Sequence, residues 1–394
     1  MYWNKQSESN RTPALCVLSI GMAIALAIAW VCPAHAQVRV YQEVMHMRGS
    51  PGAVYTMSND AAGNELLAYD RAADGTLTMI GAYETGGLGA GAGLGNQGGV
   101  AISDNHRWVF VVNAGTSDIS AFEATPAGLM LRDVEPALGG LPVSVTVHED
   151  LLYVLHADGA GSIHGFHVSD EGDITPIMDS MRPLSGAEMT APAQIAFTPD
   201  GGVLVVTEKA TSLIDTYVVQ MDGTTSGPNI FASSGQTPFG FDFTSRGSLL
   251  VSEAFGGAEG MASASSYSVA ADGTLDVISP TVQSFQTASC WLVVNPNSRH
   301  AYTTNTPANT ISGYVIDDAT DSLSLLDEDG VTVFSGEGTG PLDAAFATNG
   351  RFLYVLNSGS HEIAVYRVFK HDGSLMLIET VAGLPETANG MAAH

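Results

Sequence analysis

Hydrophobic and polar positions repeat along this chain in a regular order. From "AVYTMSND" onward, short aliphatic and aromatic runs alternate with polar turns, and no segment keeps a helical period. Four stretches display the unit: "FVVNAGTSDISAF", "LVVTEKATSLIDTY", "YTTNTPANTISGY" and "YVLNSGSHEIAVY". In each, a polar residue closes one strand and an aromatic nine places later closes the next: Asn113 and Phe122, Glu208 and Tyr217, Asn305 and Tyr314, Asn357 and Tyr366. A strand opening near proline or glycine comes before ("LPVSVTV", "APAQIAF", "TPFGFDF", "SCWLVV", "GPLDAAF"). An Asp-Gly type turn ("AADGTL", "MDGTT", "HDGSL") leads to a fourth strand. Asp-Gly between alternating strands marks a tight hairpin, because both central residues of that turn need positive φ.

The closing polar position recurs at Asn59, Asn113, His156, Glu208, Glu253, Asn305 and Asn357, at intervals of 43 to 54 residues. That period suits a four-stranded blade and is too long for the short solenoid repeats. The expected fold is all-β: a seven-bladed β-propeller over residues 37–394, with no second domain. The first blade has no opening strand of its own, whereas the terminal "ANGMAAH" has the form of one. It is expected to pair into blade 1, closing the ring and hiding two sheet edges.

Opening and second strands run antiparallel, so the closing residues should ring one mouth of the central channel. The starts of the inner strands, including Gln97, Gln194, Trp291, Asp343 and Asn389, should join them there. Asparagine at a strand end commonly bonds the neighbouring turn. The exceptions are His156, Glu208 and Glu253, in consecutive blades, and these are the candidate catalytic residues. Glu208 is read as general base, His156 as its acid or orienting partner, and Glu253 as assisting. Gln194, Asn113, Asn305, Asn357 and Trp291 are the candidate ligand-binding residues. Each has a plain alternative in solvation or local pairing; Lys209 adjoins Glu208.

Composition narrows the function classes. Hydrophobic residues make up 45% of the 394, enough for a buried core, and the formal charge is -27. Such a chain repels nucleic acid and anionic membranes, whose phosphates need lysine and arginine. Residues 1–36 have the layout of a signal peptide: Lys5 and Arg11, an apolar stretch, then "AHA". A periplasmic or secreted monomer is expected. Without that leader Cys290 is the only cysteine, which excludes an intrachain disulfide. The stretch "GGLGAGAGLGNQGG" (Gly86 to Gly99) lacks Gly-Lys-Ser/Thr and opens into a strand, so it reads as a connector, with a lid over the mouth as one role. The pairs His148-Glu149 and His361-Glu362 lack the second histidine of a zinc-protease motif.

Over Tyr41 to His394 the blade grammar, the strand "GRFLYVLN" and the closing strand resemble the seven-bladed propeller lactonase family, which includes 6-phosphogluconolactonase and carboxy-muconate cyclase. The resemblance implies a Glu at the end of the second strand of blade 4, which Glu208 matches. It also implies a His after the proline opening blade 3 and an Arg after those opening blades 4 and 7. Here Val143, Ala193 and Leu342 occupy those places. The lost groups are those that would hold an anionic substrate and stabilise an oxyanion. The expected function is an exported lactonase-like enzyme opening a small lactone, neutral or of uncharacterised kind, without a cofactor. The alternatives are a non-catalytic binding propeller and a Ca²⁺-dependent one, its ion held by carboxylates and carboxamides.

Overall fold

The computed structural model describes residues 52–394, which form seven antiparallel sheets of four or five strands. Each sheet is one blade: an inner strand on the channel, a second and third strand, and an outer strand. Blade 2 follows the chain directly, from Val100–Ile102 through Trp108–Asn113 and Asp118–Thr125 to Gly128–Pro136. In blades 3 and 6 the outer strand is split in two, Ile174–Pro176 with Arg182–Pro183 and Leu323–Leu325 with Val333–Phe334. Residues 1–36, expected to be a signal peptide, lie outside the described residues.

Ring closure is as expected. The final strand, Asn389–Ala393, pairs antiparallel with Ala53–Met57 and becomes the inner strand of blade 1. Thr56 Oγ1 donates to the Asn389 carbonyl (3.3 Å) and Arg71 Nε to the His394 carbonyl (3.0 Å), so the end of the chain is tied to its first blade.

The core lies between blades, where inward-facing apolar residues of neighbouring sheets interdigitate. Phe110, Phe122, Phe166 and Phe241 are fully buried there, and each contributes about 1.5–3 kcal/mol relative to exposure. A polar seam runs around the outside of this core. Tyr153, Tyr302 and Tyr354 each donate a hydroxyl to the glycine carbonyl of the Asp-Gly turn in the next blade, at Gly223 (2.7 Å), Gly373 (2.6 Å) and Gly75 (3.1 Å). The turn that ends one blade's third strand is thus held by the blade before it.

Candidate functional site

Blade 1 departs from the expected register. In six blades the closing polar residue is the last of its second strand, but in blade 1 that strand ends at Met57. Ser58 holds the equivalent place, its N–H donating to Glu65 O at 2.8 Å. Asn59, one residue later, has a φ of 51° and bonds the connector at Ala90 N–H and Ala92 O, each at 2.8 Å.

The closing residues reach sideways, under the connector that enters their own blade. Each is met by the third-strand residue two places before the terminal aromatic. Asn113 Nδ2 donates to Ser120 Oγ (2.7 Å), and its Oδ1 accepts from Thr85 of the connector (2.7 Å). Asn305 Nδ2 donates to Ser312 Oγ (2.8 Å). Glu253 Oε1 accepts from Ser265 Oγ (2.6 Å) and from the N–H of Gly235 in the connector (2.8 Å), while Oε2 accepts from Ser263. In blade 7 the matching position is Ala364, and the Asn357 Oδ1 has no partner.

In blades 3 and 4 the partner is itself titratable. His156 faces His164, with ring centroids 5.1 Å apart and the rings perpendicular; His156 Nδ1 donates to Ser162 O at 3.3 Å. Burial, and then His164, lower the His156 pKa to about 4, so the imidazole is neutral at pH 7. Glu208 accepts from Ser185 N–H (2.8 Å), Ser185 Oγ (2.8 Å) and Thr211 Oγ1 (2.5 Å). Beside it, Asp215 makes no hydrogen bond of normal geometry, and burial, reinforced by Glu208, raises its pKa to about 9. Burial likewise raises Glu253, against the pull of its three donors.

Glu208, Glu253 and His156 are at most 1% exposed, and no hydrogen bond or ion pair joins any two of them. They do not form the expected open arc at the channel mouth; each is turned into its own blade and held there. Among the described residues no group of three His, Cys, Asp or Glu is placed to hold a metal ion.

The mouth itself is filled by the end of the glycine-rich connector. Gly95 O accepts from Lys209 Nζ, Asn96 Nδ2 donates to Val143 O, and Asn96 O accepts from Trp291 Nε1 (2.7 Å). Gln97 N–H donates to Ala193 O (3.0 Å), and its side chain grips Leu292 at both N–H (3.2 Å) and O (2.9 Å). Val145 N–H donates to Gly98 O (2.8 Å). A few residues therefore bridge blades 3, 4 and 6. Gly240 allows the crossing, since a Cβ there would lie 1.9 Å from Gln97 Oε1.

Around this strap Ala193, Phe239 and Trp291 form an apolar cluster with Cys290 and Leu342. Lys209 Nζ sits 4.7 Å from the Phe239 ring centroid, and burial lowers its pKa to about 8. Burial pushes the Cys290 thiol up to about 12, leaving a packed thiol. Gln194 binds Phe241 at N–H (2.7 Å) and O (2.9 Å), stapling blade 4 to blade 5. Trp291 and Gln194 thus hold backbone.

Space remains at the other end of the channel. A cavity of about 460 Å³ is lined by the later halves of the inner strands, with Gln97 and Gln194 toward the closed end and Phe243, Pro296 and Phe346 farther out. Asp242 on its wall accepts from Phe243 N–H (2.7 Å) and Val294 N–H (2.8 Å), and burial raises its pKa to about 6.

The geometry has relatives. Residues 293–393 match the family described as lactonase, 7-bladed beta-propeller. No curated protein sequence matches the chain. A solved protein from Lactobacillus plantarum superposes with a TM-score of 0.70 at 17% identity, over 87% of this chain and 99% of that one. The periplasmic gluconolactonase of Pseudomonas aeruginosa gives 0.63 at 16% identity, over 85% and 98%. At such identities the likeness is one of fold. The chain is thus a seven-bladed β-propeller, whose residues 293–393 match the seven-bladed lactonase family.

Proposed function

We propose that this chain is a non-hydrolytic binding propeller of the lactonase family, an exported monomer that takes a small molecule in the funnel opposite the closed mouth. One observation carries the reading: the strap Gly95–Gly98, bonded to blades 3, 4 and 6, occupies the mouth where the family resemblance places catalysis. The positions expected to carry His and Arg hold Val143, Ala193 and Leu342, which cannot bind an anion or stabilise an oxyanion. The funnel volume falls in the range of small-molecule sites. A screen of neutral and phosphorylated sugar lactones should find no rate above buffer. Turnover that disappears in Glu208→Gln overturns the proposal.

A second reading rests on the family match and on Glu208 standing at the end of the second strand of blade 4. In it the segment 86–99 is a lid that lifts, Glu208 acts as general base toward water, and a small neutral lactone is opened without a cofactor. Lactonase activity that rises when Gln97→Ala loosens the strap distinguishes this reading from the first.

A further inference from the structure

Three buried oxygen atoms at the closed end of the channel have no hydrogen-bond partner: Asn96 Oδ1, Asp343 Oδ2 and Asn389 Oδ1. Their residues are at most 2% exposed. Buried acceptors are nearly always paired, so three at this end of the channel call for a physical occupant. They fall together because of the repeat. Asn389 pairs with Met57, one residue before the closing Ser58. Asp343 lies in the bulge between the pairs Pro341–Asn357 and Ala344–Val355, likewise one residue before the closing Asn357. The two therefore hold equivalent places on inner strands of neighbouring blades, 7 and 1. Asn96 comes in from the strap on the blade 2 side. A Cβ on Gly99 would lie 2.7 Å from Met57 Cε, 3.2 Å from Asn96 Nδ2 and 3.3 Å from Asn389 Oδ1, so glycine there lets the two asparagine side chains come close.

We infer that this end of the channel binds one hard cation of the Ca²⁺ class, ligated by Asp343 Oδ2, Asn389 Oδ1 and Asn96 Oδ1, with water completing the shell. The donor set is all oxygen, with one carboxylate and two amide carbonyls. That composition suits Ca²⁺ at 2.3–2.6 Å and not the softer metals that need nitrogen or sulfur. Asp343 supports the reading. Its Oδ1 accepts from Ala344 N–H (2.8 Å), which leaves Oδ2 as the oxygen without a partner. The funnel wall includes Gln97 and Ala344, the chain neighbours of Asn96 and Asp343. The site is distinct from Glu208 and Glu253 and does not depend on whether the protein hydrolyses anything.

The test uses the full chain, stripped with EDTA, re-equilibrated with Ca²⁺, passed through gel filtration and assayed for metal. One Ca²⁺ retained per chain is expected, with a melting temperature that rises as Ca²⁺ is added. Asp343→Asn should weaken binding at least tenfold, whereas Asn389→Asp, which adds a carboxylate, should tighten it about tenfold. If Asp343→Asn does not fold, Asn389→Ala is read in the same way and should also weaken binding. No retained ion in the wild type would mean that water alone occupies this end of the channel, and it overturns the inference. So does uptake that neither Asp343→Asn nor Asn389→Ala weakens, because the ion would then sit on surface carboxylates.

Discussion

Asp215→Asn isolates the cost of a buried acid. Asp215 is fully buried beside Glu208, and its pKa stands at about 9 in the fold against 3.8 for the free side chain. Because the folded value is the higher one, the fold holds a proton that the unfolded chain releases between those limits. Its stabilising share is complete below about pH 4 and is lost progressively as pH rises toward 9. Within that window stability falls by about 1.4 kcal/mol per pH unit from this group alone, or about 4 kcal/mol from pH 5 to pH 8. Asparagine does not titrate, and its amide can donate to Glu208. Other buried acids, including Asp242 and Asp343, tilt both profiles alike, so the difference between the two proteins reports Asp215. Urea unfolding at pH 5, 6, 7 and 8 measures that difference. The variant should gain on the wild type at each step; at roughly 1–2 °C per kcal/mol for a chain this size, the melting gap widens by about 4–8 °C. Parallel profiles, with a gap constant to within about 1 kcal/mol, would mean that Asp215 is ionised in the fold and that the carboxyl pair is misread.

Three further outcomes are expected. Removing Ala388–His394 strips the inner strand from blade 1 and should lower the melting temperature by roughly 5–10 °C or abolish soluble protein; a truncation that melts like the full chain refutes the closure. Gln97→Ala should cost about 1–3 kcal/mol in urea unfolding, since both polar groups of Leu292 lose their partner. Gly240→Ala should be destabilising alone and somewhat less so on the Gln97→Ala background, where the nearest colliding oxygen is gone and Cys290 O, 2.9 Å from the new Cβ, remains; a double-mutant cycle reads the coupling, and strictly additive effects refute the contact between Gln97 and Gly240. Tyr354→Phe should cost about 1 kcal/mol by freeing the Gly75 carbonyl, with fluorescence-monitored unfolding as the measure.

The seven-fold grammar and its closing strand could be read from the chain because strand period and turn chemistry are local. The pairing of closing residue with third strand was legible too, though only if the repeat is followed two places before each aromatic. There Ser120, His164, Asp215, Ser265, Ser312 and Ala364 take turns. That column turns Glu208 from an isolated acid into half of a buried pair. What pattern cannot supply is direction. Alternation places a residue on a face of its sheet, but a connector such as Thr85, Ser185 or Gly235 decides whether that face meets solvent. The strap is a further case: "GNQGG" carries no period, and its course over the mouth depends on Lys209, Trp291 and Leu292, far away in sequence.

The velcro of the last strand sets a timetable for the molecule's birth. Until Asn389–Ala393 leaves the ribosome, Ala53–Met57 has a third-strand partner on one side and bare backbone on the other. The nascent chain is then an unfinished arc with a sticky margin at each end. Such a design keeps the ring from locking shut until its closing strand has been made, so that the disc forms only after all seven blades are present.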